Sequence, residues 1–264
     1  MNAQLSSLDD DIVLQALSIT QKASETARRF FRQNVAVEFK SDESPVTMAD
    51  KAIESEIRVA LNAAFPSFGI LGEEHGTENG ENPDMWIVDP IDGTRSFISG
   101  HPLFGMLLGL TRNHQPKLGI VAMPALKETY VGGPGLGARL NGKKISASPC
   151  TSLENAIVYI NEASRIFANN EPAFRALLGT GQTTRMAHDC YPHALLAAGH
   201  VDCVIDYDLK PFDFLPVAAL IEGAGGLMTD WKGNALTQNS DGRTISAATP
   251  QLHAQMRDLL GGIS

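Results

Sequence analysis

Apolar residues recur at Ile12, Val13, Ala16, Leu17, Ala23, Ala27, Phe30 and Phe31. This spacing puts them on one side of a 3.6-residue turn and predicts an amphipathic helix over residues 8–34. Asp9, Asp10 and Asp11 stand near its start, where the helix dipole favours anions, so they read as a solvated cap and not as a metal site. Residues 35–39 alternate as a short strand, and the polar stretch KSDESPVT predicts a loop. Thr47 then reads as the N-cap of a helix reaching about residue 64. Ile53, Ile57 and Leu61 fall on its core face, and Asp50 stands three after the cap. FGILGEEHG predicts a short strand that ends in a glycine-bounded turn.

In WIVDPIDGTRSF, Trp86, Ile87 and Val88 read as the end of a buried strand. Pro90 takes the chain out of strand geometry, and Thr94 looks like a helix start. Strands follow over 103–111 and 118–123. GGPGLGARLNGKKI reads as a hairpin turned by Asn141-Gly142; its glycines lack the GxGxxG spacing of a nucleotide loop. Composition changes near 146–151. Beyond it, strands at 157–160, 201–205 and 227–229 alternate with helices around 173–178, 191–198 and 211–222, a pattern of the α/β class.

At 264 residues, with 43% hydrophobic content, the chain has room for one large domain or two halves sharing a core, and disorder is excluded. A net charge of −9 argues against general nucleic-acid binding, for there is no basic stripe to displace counterions. It does not oppose a small anionic substrate, because a bound cation reverses the local sign. Cys150, Cys190 and Cys203 are odd in number and lack CxxC spacing, which points to a reducing cytoplasm without a disulfide framework. MNAQLSSLDDDIVLQAL does not read as a signal peptide, and no apolar run suggests a membrane span.

Charge changes the reading of WIVDPIDGTRSF. One Asp there reads as a turn or cap residue. Asp89 and Asp92 together repel each other unless they are protonated, solvated or bridged by a cation. Glu73 and Glu74 in LGEEH, Asp50, and Asp213 at a helix opening are each ordinary dipole partners when taken alone. As a set with Asp89 and Asp92 they supply the oxygen ligands that Mg²⁺ prefers.

GEE, WIVDPIDGTRSF and the late PFD…EGAGG resemble the inositol monophosphatase family of Mg²⁺-dependent, lithium-sensitive phosphatases. Phe212 stands where that family usually has Trp. The resemblance implies a layered α-β-α-β-α sandwich of the inositol monophosphatase and fructose-1,6-bisphosphatase type, and a homodimer. Residues 1–145 would form an α+β half with an antiparallel sheet and most of the ligands. Residues 146–264 would form an α/β half of the same catalytic unit. The resemblance also implies that Glu73, Asp89, Asp92, Asp213 and the Ile91 carbonyl bind two or three Mg²⁺ ions, with Mn²⁺ able to substitute. Asp50 would hold nearby waters or orient Glu73. Gly93 and Thr94 would offer backbone N–H groups to the phosphate, beside Asp92 and Asp213. Glu73 and the Thr94 hydroxyl would position and deprotonate the attacking water.

HDCYPHALLAAGHVDCVIDYDLKPFD resembles the histidinol-phosphatase branch, in which an Asp-Cys-Tyr segment opens the helix facing the substrate. Here Asp189, Cys190 and Tyr191 fill it, while His188 replaces the usual Gly and Pro192-His193 follow. Asp206, seven before Asp213, stands where the family contacts the non-phosphate part of its substrate, and an added acid suits a cationic amine. Plainer readings are that Asp189 caps the helix and that Cys190 is a small core residue. His188 and His193 are five apart, not at the spacing of a helical zinc pair. The expected activity is Mg²⁺-dependent hydrolysis of L-histidinol phosphate to histidinol, a step of histidine biosynthesis. Inositol 1-phosphate or another small ester is the alternative. A non-catalytic regulatory protein that keeps the fold is the alternative from another class, and the intact acids speak against it.

Overall fold

Two helices cover one face of the larger sheet. The computed structural model describes residues 10–33, 37–39 and 45–262. Helices α1 (Asp10–Phe30) and α2 (Met48–Ala64) set Ala16, Ala23, Ala27, Ile53, Ile57 and Leu61 against Trp86, Val88, Leu108 and Ile120. Residues 8 and 9 of the expected first helix, and residue 34 at its end, lie outside the described residues. Helix α2 starts as its sequence predicts. The Thr47 side chain accepts from the N–H groups of Ala49 and Asp50, and the Asp50 carboxylate accepts from Thr47 N–H. The loop expected over 40–47 needs correction. Residues 45–47 form strand β2 (Pro45–Thr47), paired antiparallel with β1 (Val37–Phe39), so backbone pairing overrides polar composition. Residues 35–36 and 40–44 lie outside the described residues.

The larger sheet contains β3 (Gly69–Gly72), β4 (Gly76–Glu78), β5 (Asp84–Asp92), β6 (Gly105–Arg112), β7 (Gln115–Met123), β8 (Glu128–Gly133), β9 (Gly137–Leu140) and β10 (Lys143–Ile145). Its order is β10-β9-β8-β7-β6-β5-β3-β4, with β3 parallel to β5 and the other pairs antiparallel. Side chains alternate faces along a strand. Trp86 and Val88 therefore meet α1 and α2, while Met85 and Ile87 enter the middle core. The smaller sheet contains β11 (Ile157–Asn161), β12 (Thr183–Ala187), β13 (Cys203–Asp206), β14 (Leu227–Asp230) and β15 (Thr244–Ala247), in the order β12-β11-β13-β15-β14.

Between the sheets lie α6 (Tyr191–Ala197) and α7 (Pro211–Gly223). All eight residues from Phe214 to Ile221 of α7 are buried, as a helix with apolar surfaces on both sides requires. Helices α4 (Ala163–Asn169), α5 (Glu171–Leu177) and α8 (Pro250–Gly261) cover the far face of the smaller sheet through Ile166, Leu177, Leu252 and Met256. The layers run α-β-α-β-α, as the resemblance implied. Helix α7 packs closely on two glycines of the larger sheet. Gly109 and Gly119 are direct cross-strand partners, and a Cβ on Gly119 would overlap the Pro216 carbonyl oxygen.

Candidate active site

The site starts with an irregularity in β5. Asp89 pairs with Leu107 and Asp92 with Gly105, so three steps on β5 match two on β6. In a regular strand, residues three apart point to opposite faces; one extra residue brings both to the same side. Ile91 N–H donates to Asp89 Oδ1 at 3.0 Å and tightens the bulge. Asp213 arrives from the first turn of α7, where its Oδ2 accepts from Lys210 N–H at 2.7 Å. Carboxylate oxygens of Asp89, Asp92 and Asp213 lie within 4.8 Å of one another. Glu73 follows β3, its N–H bonded to the Val88 carbonyl at 3.1 Å, and its carboxyl group interacts with that of Asp89.

These acids pull against one another. Burial, then the charges of Glu73, Asp92 and Asp213, push Asp89 well above the usual carboxylate range. Burial, then Asp189 and Asp213, do the same to Asp92. Asp213 is pushed up to about 7 by burial, against the stabilising N–H of Lys210. Converging hard oxygen donors whose ionised forms are mutually destabilised fit a divalent cation such as Mg²⁺, whose charge reverses each of these shifts.

Gly93 precedes α3 (Thr94–Ile98) with φ 83° and ψ 47°, a left-handed backbone that glycine takes most easily. It also needs to be small, since a Cβ there would stand 2.5 Å from Asp189 Cγ. The Thr94 hydroxyl lies 3.2 Å from both Asp50 Oδ1 and the Ile91 carbonyl oxygen. Asp50 is fully buried, and burial raises its pKa. Its carboxylate bonds to Thr47 and Thr94, so it braces Thr94; the resemblance implied that it holds nearby waters or orients Glu73.

Asp189 does not cap α6. It has φ 61°, and its carboxylate accepts from Ser96 Oγ at 2.7 Å across the cavity wall. The next N–H, of Cys190, donates to Asp92 Oδ2 at 2.5 Å. The Cys190 thiol is buried near Met123, and burial pushes its pKa up, as for a small core residue.

Asp206, for which the resemblance implies a contact with the substrate, is held by protein groups on both carboxylate oxygens. Asp206 borders the cavity but is 2% exposed. Oδ2 accepts from Asn161 Nδ2 at 2.7 Å and from His193 Nε2 at 3.0 Å, and Oδ1 accepts from Tyr207 N–H at 2.8 Å. The other ring nitrogen of His193, Nδ1, lies 2.9 Å from Ser246 Oγ. Asn161 also donates to the Asp189 carbonyl at 3.0 Å. Asp206 thus anchors the segment that presents Asp189.

Sequence reasoning missed Asn161 and Glu162. Two adjoining cavities of about 590 and 610 Å³ share Glu73, Gly93, Thr94, Glu162, Arg165, Asp189 and Asp213. Glu162 enters from the end of β11 with φ 47°, uncommon for a residue other than Gly, Asn or Asp. Its one readable trace was its place just after a strand. Arg165 pairs with it at 3.3 Å and also with Asp208.

The chain matches the model of the inositol monophosphatase family over residues 9–261. It is 37% identical over 233 residues to the chloroplastic bifunctional phosphatase IMPL2 of Arabidopsis thaliana, covering 88% of this chain and 67% of that one. It is 34% identical to the histidinol-phosphatase of Chlorobaculum parvum, covering 86% of this chain and 88% of that one. The solved inositol monophosphatase from Zymomonas mobilis superposes with a TM-score of 0.86 at 33% identity, over 96% of this chain and 98% of that one. A family pattern that runs almost end to end, shared with relatives at 33–37% identity, places this chain in the inositol monophosphatase family of phosphatases.

Proposed function

We propose that this phosphatase hydrolyses L-histidinol phosphate to histidinol and inorganic phosphate. The observation that carries the substrate choice is the pair of acids on the cavity wall, Asp189 beside Gly93 and Glu162 paired with Arg165. A cationic amine is a natural partner of the Asp189 carboxylate. The histidinol-phosphatase of Chlorobaculum parvum among the relatives supports the same ester. Inositol 1-phosphate is the second reading, supported by the likeness to the Zymomonas mobilis inositol monophosphatase.

Glu73, Asp89, Asp92, Asp213 and the Ile91 carbonyl would hold two or three Mg²⁺ ions, or Mn²⁺ in their place. Such ions lower the pKa of the water they bind from ~16 towards ~7 and offset charge on the phosphate and the departing oxygen. The protein positions the rest. The N–H groups of Gly93 and Thr94 bind phosphate oxygens. Thr94 donates its own proton to Asp50 or to the Ile91 carbonyl, which leaves its oxygen to accept from the attacking water. Glu73 takes the water proton. An O–P bond forms in line as the P–O bond to the alcohol breaks, and the departing alkoxide takes a proton from solvent.

A substrate panel tests the choice of ester. Wild-type kcat/KM is expected to favour L-histidinol phosphate over inositol 1-phosphate. Asp189→Asn should lower kcat/KM for histidinol phosphate by about tenfold more than for glycerol 2-phosphate, whose alcohol part is uncharged, since a charged hydrogen bond contributes ~1.5–3 kcal/mol. An equal fall for both esters removes Asp189 from amine recognition. An outright preference for inositol 1-phosphate moves the assignment to the second reading.

A further inference from the structure

We propose that Glu54 is a positioning residue that fixes the backbone on which Glu73 is carried, and thereby sets the affinity of the acidic site for its cation. The inference rests on the proposed role of Glu73 as a ligand.

Glu54 lies on the core side of α2, next to Ile53 and one turn from Ile57, and is fully buried. A carboxylate in that place costs stability unless it is fully bonded, and a leucine would complete the apolar face. Its partners explain why an acid stands there. Oε2 accepts from Glu74 N–H at 2.7 Å, and Oε1 accepts from His75 N–H at 3.1 Å. These are the two residues directly after Glu73. Arg58, one turn further along α2, donates from Nε to Glu54 Oε1 at 2.8 Å and reaches the Gly76 carbonyl with its outer nitrogen. Two helix side chains therefore hold both N–H groups and a carbonyl of the turn joining β3 to β4.

His75 is also held through its ring, with Nε2 3.1 Å from Ser55 Oγ and 3.2 Å from the Lys51 carbonyl oxygen. Strand β4 is a three-residue strand at the edge of the larger sheet, and none of its residues is buried. On the other side Gly72 allows the close approach, since a Cβ there would overlap Glu54 Oε1. Glu73 is thus clamped from behind by its own N–H on the Val88 carbonyl and from ahead by Glu54. Ligands must be held within about 0.5 Å to bind a cation well, and outer hydrogen bonds of this kind typically change metal affinity 10–100-fold.

Glu54→Gln keeps the shape but replaces one acceptor oxygen with an NH₂ group. One of the two turn N–H groups then faces a donor, and Arg58 loses its charged partner. Titration calorimetry of the full-length protein with Mg²⁺ should show a dissociation constant raised about 10-fold or more. Turnover should recover as Mg²⁺ is raised, because the ligand itself remains. Glu73→Gln is measured alongside. If Glu73→Gln binds Mg²⁺ like the wild type, the ligand role of Glu73 is wrong and this inference falls with it. If Glu73→Gln weakens binding while folded Glu54→Gln binds as tightly as the wild type, the positioning role alone is overturned. Should Glu54→Gln fail to fold, Arg58→Gln takes its place. It leaves Glu54 on the turn but releases the Gly76 carbonyl and should raise the constant in the same direction; unchanged Mg²⁺ binding in that variant overturns the positioning role.

Discussion

Asp92→Asn is expected to lose cation-dependent turnover by about 100-fold or more while gaining stability in chelator. The activity loss follows from removing one anionic donor from a hard-cation site whose charge stabilisation is worth several kcal/mol. The stability gain follows from the sign of the pKa shift. Asp92 is held above its ordinary value by burial and by Asp189 and Asp213. A carboxyl raised in the folded state contributes most below its unfolded pKa, and that contribution is lost as pH rises through the folded value. Removing the charge removes the loss, so the gap between variant and wild type should open from about pH 4 upwards. The amide oxygen of Asn can still accept from Cys190 N–H, so the local backbone is kept. Melts at pH 5 and pH 8 in chelator check this, with roughly 2–4 °C expected for each kcal/mol of relief. Added Mg²⁺ should raise the wild type far more than the variant. A variant less stable than the wild type in chelator at pH 8 would mean that the acids do not repel one another there.

Gly119→Ala is expected to destabilise the protein by about 3 kcal/mol and to impair the site from a distance. Its added methyl would overlap the Pro216 carbonyl oxygen and come within 3.0 Å of Leu220 N, both backbone atoms of α7 that cannot turn aside. The helix must move off the sheet, and Asp213 stands in its first turn. Thermal unfolding should fall by roughly 6–12 °C, and Mg²⁺ binding should weaken in the protein that remains folded. Gly225→Ala is no substitute control, because φ there is 91°; Gly261, in a helix with open space around its missing Cβ, is the better one. Equal stability for Gly119→Ala and Gly261→Ala would show that the close approach of α7 is not needed.

The three aspartates that meet within 4.8 Å all lie in motifs that stood out in the sequence. So did the capped start of α2 and the extent of α7, whose apolar run tolerates only a buried position. Elements with weaker local patterns escaped. Strand β15, TISA, is wholly buried but carries Thr244 and Ser246, so no apolar run betrays it. Strand β12 is an edge strand with three exposed residues and shows no core face. Helix α8 did carry its signal, Thr249 as N-cap with Pro250 in the first turn, although polar residues dilute its periodicity. Within the site, spacing could place Asp206 seven before Asp213 but could not show that Asn161, 45 residues away, takes up one of its oxygens. The bond from Thr94 to Asp50 spans 44 residues and was equally hidden. Local chemistry was legible; contacts that depend on which strand ends lie side by side were not.

The most direct test of a cation-dependent phosphatase is the rate of inorganic phosphate release from L-histidinol phosphate by the wild-type protein, followed while Mg²⁺ is titrated into chelated enzyme. The acidic corner formed by Asp89, Asp92 and Asp213 predicts no release above background in chelator and a saturable rise with Mg²⁺. Full release in excess chelator would contradict the role given to those acids. No release from this or any other small phosphate ester at saturating Mg²⁺ would contradict catalysis itself and favour a regulatory protein that has kept the fold.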